Sequence, residues 1–116
     1  GNYLRPGPSS KNRHIAFSVG GETTHIFSEN NLLVDGDTRV EGWDLFRNLP
    51  EEQRRNTPFP AAPVTTRTPE DTLTTVLEGA GATLPARDAV DTRVLNDVRN
   101  GTGRIPNTLA DVLEVE

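Results

Sequence analysis

Turn-forming residues break this chain into short runs, and that limits the kind of fold it can adopt. Its 116 residues include ten Gly and nine Pro, while only 33% of them are hydrophobic. Pro and Gly are the strongest local interruptions of helices and strands. A chain of this length forms one domain at most, and small domains bury proportionally little surface. The sequence therefore predicts a turn-rich chain with a small core.

The charge and the absence of cysteine exclude several classes of function. The net charge is −5 at pH 7, so no basic stripe is available to neutralise nucleic-acid phosphates. No apolar run approaches the length of a membrane-spanning helix. Without Cys, disulfides, zinc ribbons and thiol catalysis are excluded together. We expect neither nucleic-acid nor membrane partners.

Three regions differ in their patterns. Residues 1–48 carry short strand signals, at 2–4, 14–19 and 25–34, which are bounded by Gly, Asn and Asp turn residues. Residues 49–67 are rich in Pro and aperiodic, which is typical of a long connection or a linker. Residues 68–116 change to a helical period and are predicted to form a C-terminal helical tail.

Two helices are predicted within the tail. Thr68 is a suitable N-cap followed by Pro69, and Gly79 can end that helix. Asp88 is the predicted N-cap of the second helix, which Asn100 and Gly101 close. Isolated helices of this length are marginal in water, so we expect both to dock on a larger body. Their narrow apolar stripes consist of Leu73, Val76, Leu77, Val90, Val94 and Val98.

Three stretches, in order along the chain, carry a resemblance to one enzyme family. These are "NYLRPGP", "HIFSENNLLVDG" and "VLEGAGATLPARDAVDTRVLNDVRNGTGRI". The last resembles the C-terminal segment of pectate lyases of polysaccharide lyase family one, and the first resembles that family's "NNYYKPGP" motif. The chain departs from the family pattern around Trp43 and again after Ile105.

The resemblance implies a fold and an activity. The fold would be all-β with a helical tail: the last coils of a right-handed parallel β-helix in residues 1–48, followed by two short α-helices packed on the solenoid. The activity would be β-elimination of polygalacturonate (pectin) by a secreted or periplasmic enzyme that uses calcium. In the family, the catalytic Arg and the calcium-binding acids precede the first of these motifs.

This chain is therefore expected to be the C-terminal part of a longer polypeptide and to be inactive alone. Its expected partners are the upstream portion, as a second chain, and the polygalacturonate substrate. The alternative is a non-catalytic carbohydrate-binding or structural β-solenoid module.

The chain's own candidates for chemistry each have a structural alternative. His14 and His25 could form a metal pair, or could be polar residues on the surface. The acidic residues Asp35, Asp37 and Glu41 could bind calcium, but their spacing does not match an EF-hand loop and a solvated turn is the competing interpretation.

Serine and aromatic residues are further candidates. Ser9 and Ser10 lack the Gly-x-Ser-x-Gly context of a nucleophile. Trp43 with Phe46 could stack on a sugar or act as a packing anchor. No catalytic and no metal-binding residue is predicted.

Tyr3 and Arg5 are the predicted substrate-binding residues. Family members commonly carry Lys where this chain has Arg5, so a cation is expected there. Arg can bind a uronate carboxylate through two parallel hydrogen bonds. The equally open alternative is that Arg5 fixes the turn before Pro6.

Overall fold

The computed structural model describes residues 1–113 of the chain; the last three residues of the predicted 68–116 tail lie outside that range. Strands of two to four residues make up the first half. They are β1 (Tyr3–Leu4), β2 (Phe17–Ser18), β3 (Ile26–Phe27), β4 (Leu32–Asp35), β5 (Thr38–Glu41), β6 (Phe46–Arg47) and β7 (Arg54–Arg55). Short 3₁₀ helices cover Gly42–Leu45 and Glu51–Gln53.

Two successive segments of the chain lie side by side in parallel. β1 pairs with β4, β2 with β6 and β3 with β7, each time in parallel. The paired residues are 28 or 29 positions apart, as in Tyr3 with Leu32 and Ile26 with Arg54. β5 then turns back antiparallel on β4. The first segment (residues 3–27) therefore has the second segment (residues 32–55) along one side.

The prediction of a parallel β-helix is wrong. The described residues form one three-stranded sheet, β1-β4-β5, and two separate two-stranded sheets, β2-β6 and β3-β7. A solenoid needs each sheet to continue from coil to coil, whereas here parallel pairing stops after one pair. The antiparallel β5 occupies the outer edge of β4, which ends strand addition on that side. The family motifs are local patterns and do not determine how far the sheets continue.

Asparagine side chains join the two segments at their turns. The Asn31 Oδ1 accepts hydrogen bonds from Asn2 Nδ2 at 2.8 Å and from the Asn2 backbone N–H at 3.1 Å. The Asn31 Nδ2 donates to Ser28 Oγ at 2.8 Å. Asn30, with φ 53°, has the left-handed backbone conformation that Asn tolerates better than most residues. The Asn31 side chain thus adds to the backbone pairing at the start of β1 and β4, where the Leu32 N–H donates to the Asn2 carbonyl at 2.9 Å.

The core is small and built mainly from leucine. The buried apolar residues are Leu32, Leu33, Leu45 and Leu49. The accessible surface is 8649 Å² for a mass of 12.7 kDa, whereas a compact monomer of this mass exposes roughly 6,200 Å². The radius of gyration is 17.1 Å, against about 13 Å for a compact domain of this length. The chain is extended and has more exposed surface than its size requires.

Up to residue 113, three helices follow the exposed stretch at 56–68, which has neither helix nor strand among its residues. They are α1 (Pro69–Gly79), α2 (Ala89–Asn100) and α3 (Leu109–Leu113). The predicted bounds and N-caps of α1 and α2 are confirmed: Thr68 Oγ1 accepts from the Asp71 N–H at 3.1 Å, and Asp88 Oδ1 accepts from the Asp91 N–H at 2.8 Å. α3 was not predicted. Within residues 1–113, no helix is long and apolar enough to span a membrane.

The helices contact the rest of the chain through polar groups, while their apolar stripes are only partly buried. The Thr72 hydroxyl of α1 donates to the Gly1 carbonyl at 2.8 Å, close to β1. Val76 on α1 and Val94 and Val98 on α2 remain about half exposed. Because there is no solenoid, the prediction that both helices pack on one through these stripes is wrong.

Candidate functional site

The two predicted substrate-binding residues lie together, at the C-terminal end of α2. Tyr3 is half-buried in β1, and the Arg5 guanidinium lies 5.7 Å from the centre of its ring, within the range of a cation–π contact. The Arg5 Nη1 donates to the carbonyls of Val98 and Arg99, both at 3.0 Å. Carbonyls in the last turn of a helix have no partner within the helix, and a cation there is favoured by the helix dipole. Arg5 therefore caps α2.

The residues after α2 form the second half of this contact. Gly101 has φ 67°, the left-handed conformation in which Gly commonly ends helices. Thr102 donates its N–H to the Asp97 carbonyl at 2.9 Å and its hydroxyl to the Asp97 carboxylate at 2.7 Å. Gly103 lies so close to Asp97 that an added Cβ would be 3.1 Å from the Asp97 Cβ. The "NGTG" sequence is thus explained by helix termination.

Arg5 joins the first and last motifs of the family resemblance. Its Cδ would lie 3.8 Å from a Cβ added at Gly101, and its hydrogen bonds span 93 and 94 residues of sequence. We call this contact of Arg5 with Val98, Arg99 and Gly101 the Arg5 clasp. It holds the helical tail against β1.

A groove of about 560 Å³ opens beside the Arg5 clasp. One wall is the turn that follows Arg5 and includes Ser9 and Ser10, and another is the exposed face of α2 with Val94 and Val98. The charges on its rim form ion pairs, Arg93 with Asp97 at 3.5 Å and Arg104 with Asp111 at 3.1 Å. The backbone N–H groups of Thr108 and Asn107, which donate to Asp111, lower the pKa of that carboxyl. The groove offers contact surface rather than a reactive group.

His14 and Asp35 belong to one polar cluster. Arg13 donates to both Asp35 oxygens, at 2.6 and 2.7 Å, and also to the Gly7 carbonyl at 3.1 Å. The His14 Nε2 lies 3.3 Å from the Asp35 Oδ2. These Arg13 hydrogen bonds, with a smaller contribution from His14, lower the pKa of the Asp35 carboxyl. The cluster fastens the first segment to the end of β4.

The other proposed metal ligands do not join this cluster. The His25 Nδ1 lies 3.2 Å from the Thr23 carbonyl, and Glu41 lies 3.8 Å from Arg39. Among residues 1–113, no group of three or more His, Asp or Glu side chains could hold a metal ion. Arg13 donates to both Asp35 oxygens, so Asp35 takes part in an ion pair of its own.

Trp43 packs within the second segment, next to the place where Phe46 contacts the first segment. Its ring centre is 5.5 Å from that of Phe46, which in turn stacks on Phe17 at 4.8 Å. The Arg54 guanidinium lies 5.7 Å from the Trp43 ring centre. These contacts agree with the packing-anchor interpretation of Trp43.

Sequence reasoning missed two features of this region. Gln53 is buried, and its Nε2 donates to the carbonyls of Gly21 at 3.0 Å and Glu22 at 2.5 Å. The second feature is the free side of the first segment, where β1, β2 and β3 each have a strand partner on one edge alone among the described residues. Because α1 contacts β1, we call only the free edges of β2 and β3 the open face. The strand signals were visible in the sequence, but which edge of each strand is paired depends on distant residues.

Comparison with known proteins identifies no relative: no protein-family model, curated protein or solved structure matches this chain.

Proposed function

We propose that this chain is a non-catalytic scaffold segment of a pectate-lyase-like enzyme that cleaves polygalacturonate by β-elimination. In this proposal the catalytic Arg and the calcium-binding acids belong to an upstream portion of the same protein. The complete enzyme is secreted or periplasmic, where such polymers are met. This segment holds the helical tail in place and supports the catalytic portion.

The Arg5 clasp is the observation that supports this proposal best. The motifs that carry the family resemblance, "RPGP" and "NGTG", contact each other across more than ninety residues. Chance similarity at two separated stretches gives no reason for them to meet in space. Arg5, at the position where the family commonly has Lys, and the two glycines of "NGTG", Gly101 and Gly103, each have a structural task at the end of α2. A scaffold role follows from these tasks.

The proposal is tested by an activity assay on polygalacturonate with calcium. Unsaturated uronate products are followed by their ultraviolet absorbance for this chain alone, for the upstream portion alone and for the two together. We expect product in the mixture or in the complete protein and none from this chain alone. Product from this chain alone, or none from the complete protein on any uronate polymer, would contradict the proposal.

Arg5 variants of the complete enzyme separate a structural role from substrate binding. Arg5→Gln keeps a hydrogen-bond donor but removes the charge, and Arg5→Lys keeps the charge without the planar fork. If Arg5 acts through the clasp, both variants lower the unfolding temperature and leave KM nearly unchanged. A raised KM with unchanged stability would instead assign Arg5 to the substrate.

A further inference from the structure

We propose that two copies of this chain associate through α2, with the two helices antiparallel and related by a twofold axis level with Leu95. The occupant of the exposed face of α2 is therefore a second copy of the same chain. This association does not depend on the proposed enzyme activity, because α2 and the groove beside the Arg5 clasp supply its contacts.

α2 is fastened at its two ends and exposed between them. The Arg5 clasp holds the C-terminal end. Just before the N-terminal end, the Arg87 Nη2 donates to two carbonyls at the end of α1, at 2.6 and 2.9 Å. Between these points lies what we call the valine stripe: Val90, which is partly exposed, and Val94 and Val98, which are 47% and 50% exposed. Because the apolar stripe of a helix normally packs against other protein, this stripe is a surface left only partly covered.

The four charged residues of α2 are arranged so that an antiparallel copy presents the opposite charge to each of them. Asp91 and Arg99 lie four residues to either side of Leu95, and Arg93 and Asp97 lie two residues to either side. With about 100° between successive residues, the first pair lies on one side of the valine stripe and the second pair on the other. In an antiparallel pair centred on Leu95, Asp91 faces Arg99 of the second copy, and Arg93 faces Asp97 of the second copy. The ion pair of Arg93 with Asp97 within each chain, at 3.5 Å, then joins its counterpart across the axis.

The valine stripe fits the same register. Its members are four residues apart, and in an antiparallel pair centred on Leu95 the two stripes are displaced by two residues. Each valine therefore lies about 3 Å along the helix axis from a valine of the second copy, since a helix rises about 1.5 Å per residue. Side chains that alternate in this way enter the spaces between those of the facing helix, as helix packing requires. One register thus satisfies both the charges and the apolar side chains.

The groove beside the Arg5 clasp favours the antiparallel direction. Its walls, the turn that follows Arg5 and the residues around the exposed Ile105, flank the C-terminal half of α2. A parallel pair would set the two walled halves against each other. In an antiparallel pair, each groove receives the N-terminal half of the other helix, which lies outside the groove of its own chain. That half carries Asp91 and is preceded by Asp88, and Arg104 lies on the rim of the groove that receives it.

The exposed area is large enough for such a dimer. The chain exposes 8649 Å², about 2,400 Å² more than a compact monomer of its mass. A stable interface needs roughly 800 Å² from each partner. The charged residues of α2 are two Asp and two Arg, so this contact adds nothing to the repulsion between two chains that each carry a net charge of −5.

Sedimentation equilibrium of the 116-residue chain measures the association. Asp91→Lys sets the introduced Lys against Arg99 of the second copy, and Arg99→Glu sets the introduced Glu against Asp91 of the second copy. Each variant repels another copy of itself, whereas a one-to-one mixture of the two variants restores both attractions. Because positions 91 and 99 are about 12 Å apart along α2, they do not pair within one chain. Far-UV circular dichroism checks that both variants keep their helices.

Val94→Ser tests the apolar part of the same contact, because Val94 lies one residue from the proposed axis. Val76→Ser is the matched control, since Val76 is 53% exposed on α1. Both sites are solvent-accessible in the single chain, so neither substitution should prevent folding.

We expect a wild-type dimer that Asp91→Lys, Arg99→Glu and Val94→Ser each weaken about tenfold or more and that Val76→Ser leaves unchanged. Mixing the two charge variants should return the dissociation constant to near that of the wild type. A wild-type chain that stays monomeric would overturn the inference. A mixture that associates no better than its components would overturn the antiparallel register, and a dimer unaffected by Val94→Ser would overturn the choice of face.

Discussion

Leu45 is the residue whose truncation should damage this fold most. It lies in the 3₁₀ helix between β5 and β6, its side chain is 0% exposed, and its carbonyl accepts the Ala16 N–H at 2.9 Å. The substitution Leu45→Ala leaves the backbone bond in place and removes only apolar atoms from the core. Its effect therefore reports packing between the two segments.

The size of the effect follows from the atoms removed. Leu→Ala deletes three carbons, worth about 0.8 kcal/mol each when buried, and a residual cavity adds to this loss. We expect a loss of about 3 kcal/mol, inside the 2–5 kcal/mol range of such substitutions. Small domains unfold with about 5–15 kcal/mol, and the buried apolar core of the described residues consists of four leucines, so the loss is a large share of the total.

Urea unfolding followed by Trp43 fluorescence measures this effect. Trp43 lies two positions before Leu45 and contacts Phe46, so its emission reports the same region. Leu109→Ala is the control, because Leu109 is 73% exposed, and it should change the free energy of unfolding by no more than about 0.5 kcal/mol. If Leu45→Ala and Leu109→Ala cost the same, or if Leu45→Ala costs less than about 1 kcal/mol, the packing described for the two segments is wrong.

Substitutions at three further sites test polar contacts and backbone geometry. Asp35→Asn should destabilise the protein near neutral pH, because the lowered pKa of Asp35 means that its ionised form stabilises the fold. The difference in stability between wild type and variant should disappear as the pH falls through the lowered pKa. Thermal unfolding from neutral to strongly acidic pH measures this difference. Gly101→Ala should cost about 1 kcal/mol in urea unfolding because φ is positive there, whereas Gly101→Asn should cost less, and equal losses would argue against the left-handed cap. Gln53→Ala should cost about 1–3 kcal/mol because it leaves the Gly21 and Glu22 carbonyls without their donor; an unchanged urea midpoint would show that these carbonyls find other donors.

The helices could be predicted from the sequence because their signals are local. Thr68 with Pro69, and Asp88 with Gly101, define the ends of α1 and α2 within a few residues of each end. α3 was missed because its five residues show too few turns for a periodic signal.

The sheet arrangement could not be predicted from the sequence, because it depends on contacts between distant residues. The strand signals around Phe17 and Ile26 were visible, but their pairing with residues 28 or 29 positions later was not. The family resemblance predicted a continuous solenoid instead. The antiparallel pairing of β5 with β4 contradicts that solenoid.

The candidate site shows the same limit. Arg5 and Tyr3 were selected as a pair, and they do lie together. The partners of Arg5, however, are carbonyls 93 and 94 residues away, which no local pattern indicates. Gln53 lies in a polar run that gives no sign of burial.

Hydrogen exchange of the outward N–H groups of β2 and β3, at the open face, tests most directly the proposal that this chain supports an upstream portion of the enzyme. Exchange would be followed by NMR in the isolated chain and in the complex with the upstream portion, with the Ser18 amide as the principal probe. We predict rapid exchange in the isolated chain and exchange slowed by more than about tenfold in the complex, with no change for the amides of the stretch at 56–67. Equal exchange of the Ser18 amide in both states would contradict the account.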